Sequence, residues 1–223
     1  MMERPGFILI DLDGTLVDSV PDLVWAVDRT LETLGRPPAG EDKVRDWIGN
    51  GVERLVKRAL TGTLHHDPEP ALFEEALPIF TRHYHEINGR LSRPFPGVEE
   101  GLEALRALHI PLGCVTNKAE AFTLPLLEKL GLRPYFQLVV SGDTTPHKKP
   151  HPEPLLHAAR HFGAPPENGL MVGDSRHDVE AARNAGFRVI AVSYGYNHGE
   201  DIRQAEPDAV VDRMDQIPTL LQP

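Results

Sequence analysis

Two acidic residues directly follow a short apolar run near the start of the chain. The run at 7–10 reads Phe-Ile-Leu-Ile and continues into Asp11-Leu12-Asp13-Gly14-Thr15. Carboxylates two residues apart at the end of a buried strand repel each other unless a cation or a shared proton compensates their charge. Gly14 permits the sharp turn that follows. An Asx turn explains a lone Asp-Gly pair. Two acids followed by a threonine instead indicate a reactive site with an aspartate that can act as a nucleophile.

Polar groups of complementary chemistry follow three later apolar runs. They are Thr116-Asn117 after 112–115, Lys148-Lys149 after 138–140, and Asp174 with Asp178 after 170–172. A hydroxyl at a helix start can bind an anion, and a lysine on a stiff proline-rich segment can reach a phosphate as a point charge. Two acids four residues apart at a strand-to-helix turn indicate a metal site with an orienting carboxylate. Each pattern alone also fits a helix cap or a solvated connection; their combination favours a functional site.

The apolar runs predict the scaffold that positions these groups. Six runs are continuous rather than alternating, which is typical of strands buried on both faces of a parallel sheet; they lie at 7–10, 112–115, 138–140, 170–172, 189–192 and 209–211. Helical patterns separate the later runs at 98–108, 119–130, 153–162 and 178–185. This alternation predicts an α/β fold with a doubly wound, Rossmann-like parallel sheet. Because ligands bind at the carboxyl ends of such strands, the polar groups are expected to converge there.

About a hundred residues between the first two runs carry no credible strand. Their apolar residues repeat at helical spacing, and Ser19-Val20-Pro21-Asp22 has the form of an S-x-x-D capping box at the start of a helix. A further helical stretch at 43–60 is interrupted by Gly49-Asn50-Gly51. The sequence therefore predicts an all-helical cap at 17–91, inserted into an α/β core formed by 1–16 and 92–223.

Composition limits the partners that the chain can have. It has 223 residues, with 23 Lys and Arg against 33 Asp and Glu, giving a formal net charge of −10. Nucleic acids and anionic membrane surfaces select basic proteins, so neither is an expected partner. No apolar stretch approaches the ~20 residues of a membrane span, and one cysteine, Cys114, cannot form an internal disulfide. A soluble cytoplasmic protein is expected, and its oligomeric state is not readable from the sequence.

In their order along the chain, the polar motifs resemble those of the haloacid-dehalogenase superfamily of aspartate-nucleophile phosphohydrolases. The matching segments are Asp11-Leu12-Asp13-Gly14-Thr15, Thr116-Asn117, Lys149-Pro150-His151-Pro152, and Gly173-Asp174-Ser175 with Asp178. The resemblance covers essentially the whole chain, including the helical cap after the first motif. More narrowly, the bacterial phosphoglycolate phosphatases are similar at Leu16-Val17-Asp18-Ser19, Gly49-Asn50-Gly51, Gly142-Asp143-Thr144 and Ser193-Tyr194-Gly195-Tyr196.

The resemblance implies a Mg²⁺-dependent phosphomonoester hydrolase whose substrate is a small phosphorylated metabolite, 2-phosphoglycolate above all. Asp11 would be the nucleophile that forms an aspartyl-phosphate, and Asp13 would be the general acid and base. Mg²⁺ would be held by the carboxylates of Asp11 and Asp174 and by the backbone carbonyl of Asp13. Asp178 would orient these metal ligands from behind. The phosphate group would be bound by Gly14, Thr116, Asn117 and Lys149.

Other functions are compatible with the same residues. A second phosphatase type, or a phosphomutase, could act on sugar phosphates within the same superfamily. A signalling receiver module, phosphorylated on aspartate, also combines acids, threonine and lysine around Mg²⁺; its acceptor, however, follows a middle strand, and it lacks a helical insertion of this size. In a phosphatase the cap closes over the core and excludes water, and Gly49-Asn50-Gly51 is the turn expected to cover the site.

Overall fold

A six-stranded parallel sheet forms the centre of the computed structural model, which describes residues 2–221. The strands of this part of the chain are β1 (Phe7–Ile10), β2 (Val17–Asp18), β3 (Arg93–Pro94), β4 (Leu112–Val115), β5 (Leu138–Val140), β6 (Gly169–Gly173), β7 (Arg188–Val192) and β8 (Ala209–Val211). The large sheet has the order β5-β4-β1-β6-β7-β8, and every neighbouring pair is parallel. The predicted doubly wound α/β fold is confirmed.

Helices cover the sheet and fill the insertion between β2 and β3. They are α1 (Val20–Thr33), α2 (Glu41–Trp47), α3 (Val52–Thr61), α4 (Pro70–Ile87), α5 (Val98–Ala107), α6 (Glu120–Lys129), α7 (Glu153–Phe162), α8 (Arg176–Ala185) and α9 (Ile217–Leu220). Helices α7 and α8 end at Gly163 and Gly186, whose left-handed backbone is the conformation that glycine adopts at least cost. Within residues 2–221, no helix has both the length and the apolarity that a membrane crossing requires.

Strand β1 lies in the middle of the sheet and is fully buried along its length. Its side chains alternate between two apolar clusters, as the pleat of a strand requires. Ile8 and Ile10 pack with residues of α5 and α6 on one face, while Phe7 and Leu9 pack with residues of α7 and α8 on the other. Burial on both faces explains why the run is continuously apolar. Asp11 directly follows this buried strand.

The helical insertion, α1–α4, has its own apolar cluster. Leu23 of α1, Val44 of α2, Leu55 of α3 and Phe80 of α4 are among its buried members. A short antiparallel pair, β2 with β3, connects the two ends of the insertion to the core. The sequence predicts no strand between the first two apolar runs, and this prediction is wrong because β2 and β3 lie there. Strands of two residues carry no periodicity that a sequence can reveal. The division at 17–91 itself stays a prediction.

The expected S-x-x-D capping box at the start of α1 is wrong. The Ser19 side chain makes no capping hydrogen bond. The fully buried carboxylate of Asp22 instead accepts hydrogen bonds from the backbone N–H groups of Gly89 at 2.6 Å and Leu91 at 2.8 Å, and from the hydroxyl of Ser92. Because the N–H groups beyond the end of α4 need acceptors, the carboxylate binds them rather than its own helix. Asp22, at the start of the insertion, thereby holds the segment that follows α4 at its end.

Candidate active site

The sequence-predicted site residues converge at the carboxyl ends of the central strands. Asp11 follows β1, Thr116 follows β4, Lys149 lies in the segment after β5, and Asp174 follows β6. The order of connections reverses at β1, whose neighbours are β4 and β6. Such a switch point leaves a crevice for ligands in a doubly wound sheet. The expectation that the motifs share one site is thus met by the placement of their side chains.

Three carboxylates in this crevice form a cluster that could hold a metal ion. Asp11, Asp174 and Asp178 each offer one oxygen, and these oxygens lie within 4.8 Å of one another. Burial raises the pKa of Asp11 to about 7; the attraction of Lys149 opposes this rise and the charge of Asp178 adds to it. Burial, followed by the charges of Asp178 and Asp11, also raises the pKa of Asp174. A hard cation with oxygen ligands would relieve this repulsion, so the residues fit such an ion.

The Asp174 carboxylate is held from both sides. The Thr15 hydroxyl donates to its Oδ1 at 2.7 Å, and the N–H of Tyr196 donates to its Oδ2 at 2.6 Å. Gly14 has a φ of +88°, and a Cβ there would lie 2.3 Å from Asp174 Oδ2. Glycine is therefore needed at position 14 for both its conformation and its space. Its N–H donates to the carbonyl of Val17 at 3.0 Å, and its expected contact with phosphate stays a prediction.

Lys149 lies between two carboxylates. Its ammonium nitrogen is 2.8 Å from Asp11 Oδ1 and 2.7 Å from Asp178 Oδ1, and it donates to the carbonyl of Val115 at 2.8 Å. Burial would lower the pKa of Lys149, but the charges of Asp11 and Asp178 hold it above its ordinary value. The ammonium therefore stays charged. Asp178 Oδ2 accepts from both the N–H and the hydroxyl of Ser175, at 3.0 and 2.7 Å, so this carboxylate is held at both oxygens.

Thr116 and Asn117 are buried at the end of β4. The Thr116 hydroxyl accepts the N–H of Lys118 at 3.2 Å. The side-chain amide of Asn117 donates to the carbonyl of Lys149 at 2.9 Å and to that of Gly49 at 3.1 Å. Asn117 thus links the lysine segment to the turn of the helical insertion. The expected phosphate contacts of both residues stay predictions.

The Asp13 carboxylate pairs with a residue that sequence reasoning missed. Its two carboxylate oxygens lie 2.9 and 3.1 Å from the ammonium of Lys118, which also donates to the hydroxyl of Tyr84 on α4. Burial would lower the pKa of Lys118, but Asp13 and Tyr84 hold it above its usual range. One signal in the sequence indicates that Lys118 belongs to the site, since it directly follows Thr116-Asn117 at a strand end. Tyr84 gave no such signal, because it is one member of an apolar stripe on α4.

A pocket lies between this site and the helical insertion. It is lined by Asp11, Asp13, Leu23, Ile48, Gly49, Gly51, Val52, Leu55, Thr116, Asn117 and Lys118. Its space amounts to about 450 Å³, part of it open to solvent, which suits a small ligand. The turn 49–51 lies on its wall, where the sequence placed it.

Comparisons with known proteins agree with this geometry. The family model for haloacid dehalogenase-like hydrolases matches residues 8–192. The phosphoglycolate phosphatase of Nitrosococcus oceani is 55% identical to this chain, covering 99% of this chain and 98% of the relative. That of Thiobacillus denitrificans is 50% identical and covers 92% and 90%. A solved structure of a predicted phosphoglycolate phosphatase from Haemophilus somnus is 36% identical, with a TM-score of 0.92 and 99% coverage of both chains.

The fold, the motifs and the family match together define an enzyme of the hydrolase class. The chain belongs to the haloacid dehalogenase-like hydrolase family. Within that family it is similar, over nearly its whole length, to the proteins called phosphoglycolate phosphatase. The expected resemblance is confirmed.

Proposed function

We propose that this enzyme hydrolyses phosphate monoesters and that its preferred substrate is 2-phosphoglycolate, which yields glycolate and phosphate. The observation that carries the proposal is the placement of Asp11 beside Lys149 and within one acidic cluster with Asp174. A nucleophile, a fixed cation and a candidate metal site thereby share the carboxyl edge of the sheet. The relatives named above support the choice of substrate.

Asp11 is the proposed nucleophile. A carboxylate oxygen attacks the phosphorus atom, the bond from phosphorus to the leaving oxygen breaks, and an aspartyl-phosphate forms. Asp13 gives a proton to the leaving alkoxide and then takes one from the water that hydrolyses the aspartyl-phosphate. The Asp13 carboxylate is held at 2.9 Å from the ammonium of Lys118. For the first step Asp13 must carry a proton.

The acidic cluster is the proposed Mg²⁺ site. The carboxylates of Asp11 and Asp174, with the backbone carbonyl of Asp13, would hold the ion. When bound, it would neutralise the repulsion between the Asp11 carboxylate and the incoming phosphate. Asp178 is assigned an orienting role because Lys149 and Ser175 already donate to its two oxygens. Its three hydrogen bonds hold the ammonium and the start of α8 in place.

Charge that develops on the transferring phosphoryl group needs donors at fixed positions. Lys149 supplies a buried ammonium that stays charged beside Asp11. Thr116 lines the same pocket as Asp11 and has a hydroxyl that can turn from acceptor to donor. Asn117 and Gly14 complete the proposed phosphate-binding set. In this structure they instead donate to backbone carbonyls, so phosphate would replace one of those partners.

A substrate panel tests the proposed function. The purified enzyme is assayed for phosphate release with Mg²⁺ on 2-phosphoglycolate, several sugar phosphates and a generic aryl phosphate, and kcat/KM is compared. We expect the highest kcat/KM on 2-phosphoglycolate. A strong preference for sugar phosphates would contradict 2-phosphoglycolate as the substrate but would still indicate a phosphatase. Isomerisation without phosphate release would indicate a mutase. Stable phosphorylation without turnover would overturn the hydrolase and favour a signalling role.

The expected location and partners also belong to this proposal. We place the enzyme in the cytoplasm, as its buried free thiol at Cys114 is compatible with a reducing compartment. A small phosphorylated metabolite is the proposed partner, and the acidic net charge of −10 argues against nucleic acid.

A further inference from the structure

Lys118 is a buried cation that the proposed phosphate chemistry does not use. Its side chain is 3% exposed, and its ammonium contacts Asp13 and the hydroxyl of Tyr84. Placing an ammonium where water is excluded costs several kcal/mol unless it is compensated. An orienting lysine for Asp13 would account for one contact. It does not account for the presence of Lys118 on the wall of the substrate pocket.

The pocket has an uneven distribution of charge. Its anions are Asp11 and Asp13, and four of its wall residues are apolar: Leu23, Ile48, Val52 and Leu55. Among the described residues that line it, Lys118 is the one cationic side chain. Among these lining residues, Lys118 is therefore the side chain whose charge can attract a second negative group of a substrate, beyond its phosphate.

Because Lys118 lies beside Asp13, it can bind a negative group of the substrate that lies close to the leaving oxygen. In the proposed reaction Asp13 contacts the oxygen that leaves phosphorus. In 2-phosphoglycolate that oxygen is bonded to a methylene group, which carries the carboxylate. A carboxylate so close to the leaving oxygen must lie near Asp13, and the ammonium of Lys118 lies 2.9 Å from Asp13 Oδ1.

We propose that Lys118 determines specificity by binding the carboxylate of the substrate, next to the phosphate ester that Asp11 attacks. This inference rests on the proposed function, since it names the group that recognises a carboxylated phosphate ester. When the substrate binds, the ammonium donates hydrogen bonds to both the substrate carboxylate and Asp13, and its contact with Tyr84 holds it in place. Because Tyr84 lies on α4, the contact also connects substrate recognition to the helical insertion.

The alternative is that Lys118 only positions Asp13, and the two roles respond differently to the substrate. 2-Hydroxyethyl phosphate has the same chain as 2-phosphoglycolate but a neutral hydroxymethyl group in place of the carboxylate. Loss of a positioning lysine would slow both substrates alike. Loss of a carboxylate-binding lysine would slow 2-phosphoglycolate much more. The ratio of kcat/KM for the two substrates therefore isolates the proposed role.

The experiment measures this ratio for the wild type and for Lys118→Met, Lys118→Gln and Lys118→Arg, with Lys43→Met at an exposed position of α2 as the control. Lys118→Gln keeps N–H donors toward Asp13 and Tyr84 and serves if Lys118→Met fails to fold, as judged by circular dichroism. We expect Met and Gln to lower the ratio about 10- to 100-fold, the value of a hydrogen bond to a charged group. Lys118→Arg should retain part of the preference, and Lys43→Met all of it.

Two results would overturn the inference, and they are distinguishable from each other. If the Met or Gln variant slows both substrates equally and leaves the ratio unchanged, Lys118 positions Asp13 and does not bind the carboxylate. If the wild type itself has a ratio near or below one, the proposed preference for 2-phosphoglycolate fails and the inference falls with it. A lowered ratio in Met and Gln, with partial recovery in Arg, supports both.

Discussion

The ammonium nitrogen of Lys149 lies 2.8 Å from Oδ1 of Asp11, and both side chains are largely withdrawn from solvent. The same ammonium also neutralises Asp178, and Asp174 completes the acidic cluster. Lys149 thus contacts two of the three carboxylates, and the cluster retains an excess of negative charge when all are ionised. This excess is the physical reason to propose a divalent cation at the site, because an anionic phosphate could not otherwise approach Asp11.

Exchange of Lys149 for methionine should remove most activity. The loss of one fixed donor to a developing anion typically costs about 10²- to 10³-fold in kcat, and here the nucleophile also loses its neighbour. Lys148→Met is the matched control, because Lys148 is exposed and adjacent in sequence; we expect it to stay within about threefold of wild type. Steady-state kinetics on folded protein measures both. A larger loss in the Lys148 variant would show that the phosphate-binding role belongs to that lysine.

Asp11→Asn should abolish turnover while the fold is retained, because an amide cannot form the aspartyl-phosphate. A substituted enzyme that turned over like the wild type would contradict the nucleophile assignment. Circular dichroism and thermal unfolding check the fold, and release of inorganic phosphate measures turnover.

The same variant makes a separate prediction about stability and pH. Burial raises the pKa of Asp11 from 3.8 to about 7 in the metal-free protein. The folded state therefore binds this proton more tightly than the unfolded state, so the contribution of Asp11 to stability is present at acidic pH and is lost as pH rises through about 7. Asparagine cannot ionise. In EDTA, the melting temperature of Asp11→Asn relative to wild type should rise between pH 5 and pH 8; an equal difference at both pH values would disprove the shift.

Removal of divalent metal should abolish phosphatase activity, and added Mg²⁺ should restore it. Asp174→Asn should raise the Mg²⁺ concentration for half-maximal activity at least about tenfold, since a carboxylate ligand is lost. Glu180→Gln, at an exposed position of α8, is the control and should leave that concentration unchanged. The readout is a Mg²⁺ titration, together with the thermal stabilisation by Mg²⁺ of each variant. Full activity after exhaustive dialysis against EDTA would argue against any metal role.

The sheet and the acidic cluster were accessible from the sequence for a physical reason. A strand buried on both faces must be continuously apolar, so the runs at 7–10 and 112–115 identify their strands. The strand ends then meet at one edge by topology. The sequence alone therefore predicts that Asp11, Lys149 and Asp174 share one site.

Other contacts depend on packing that no local pattern encodes. The bond between Lys118 and Tyr84 joins the end of β4 to a helix of the insertion. Its partners are 34 residues apart, and Tyr84 follows the ordinary spacing of an apolar helix face. Asp22 was assigned to its own helix because a capping box is a local motif, whereas its true partners lie 67 to 70 residues away. Long-range polar contacts of this kind require the tertiary structure.

Asp22→Asn should destabilise the protein by loosening the junction between α1 and the end of α4. The buried carboxylate accepts from Gly89, Leu91 and Ser92, and an amide would turn an N–H donor toward at least one of these donors. Loss of hydrogen bonds to a buried charged group costs about 1.5–3 kcal/mol.

For a chain of this size, each kcal/mol lowers Tm by about 2–4 °C, so Asp22→Asn should melt about 3–12 °C below wild type in differential scanning calorimetry. Glu86→Gln, an exposed carboxylate of α4, is the control and should change Tm by less than about 2 °C. Equal melting temperatures for wild type and Asp22→Asn would mean that the exit of the insertion is held by its apolar contacts alone. A fall confined to Asp22→Asn assigns the fastening to this carboxylate.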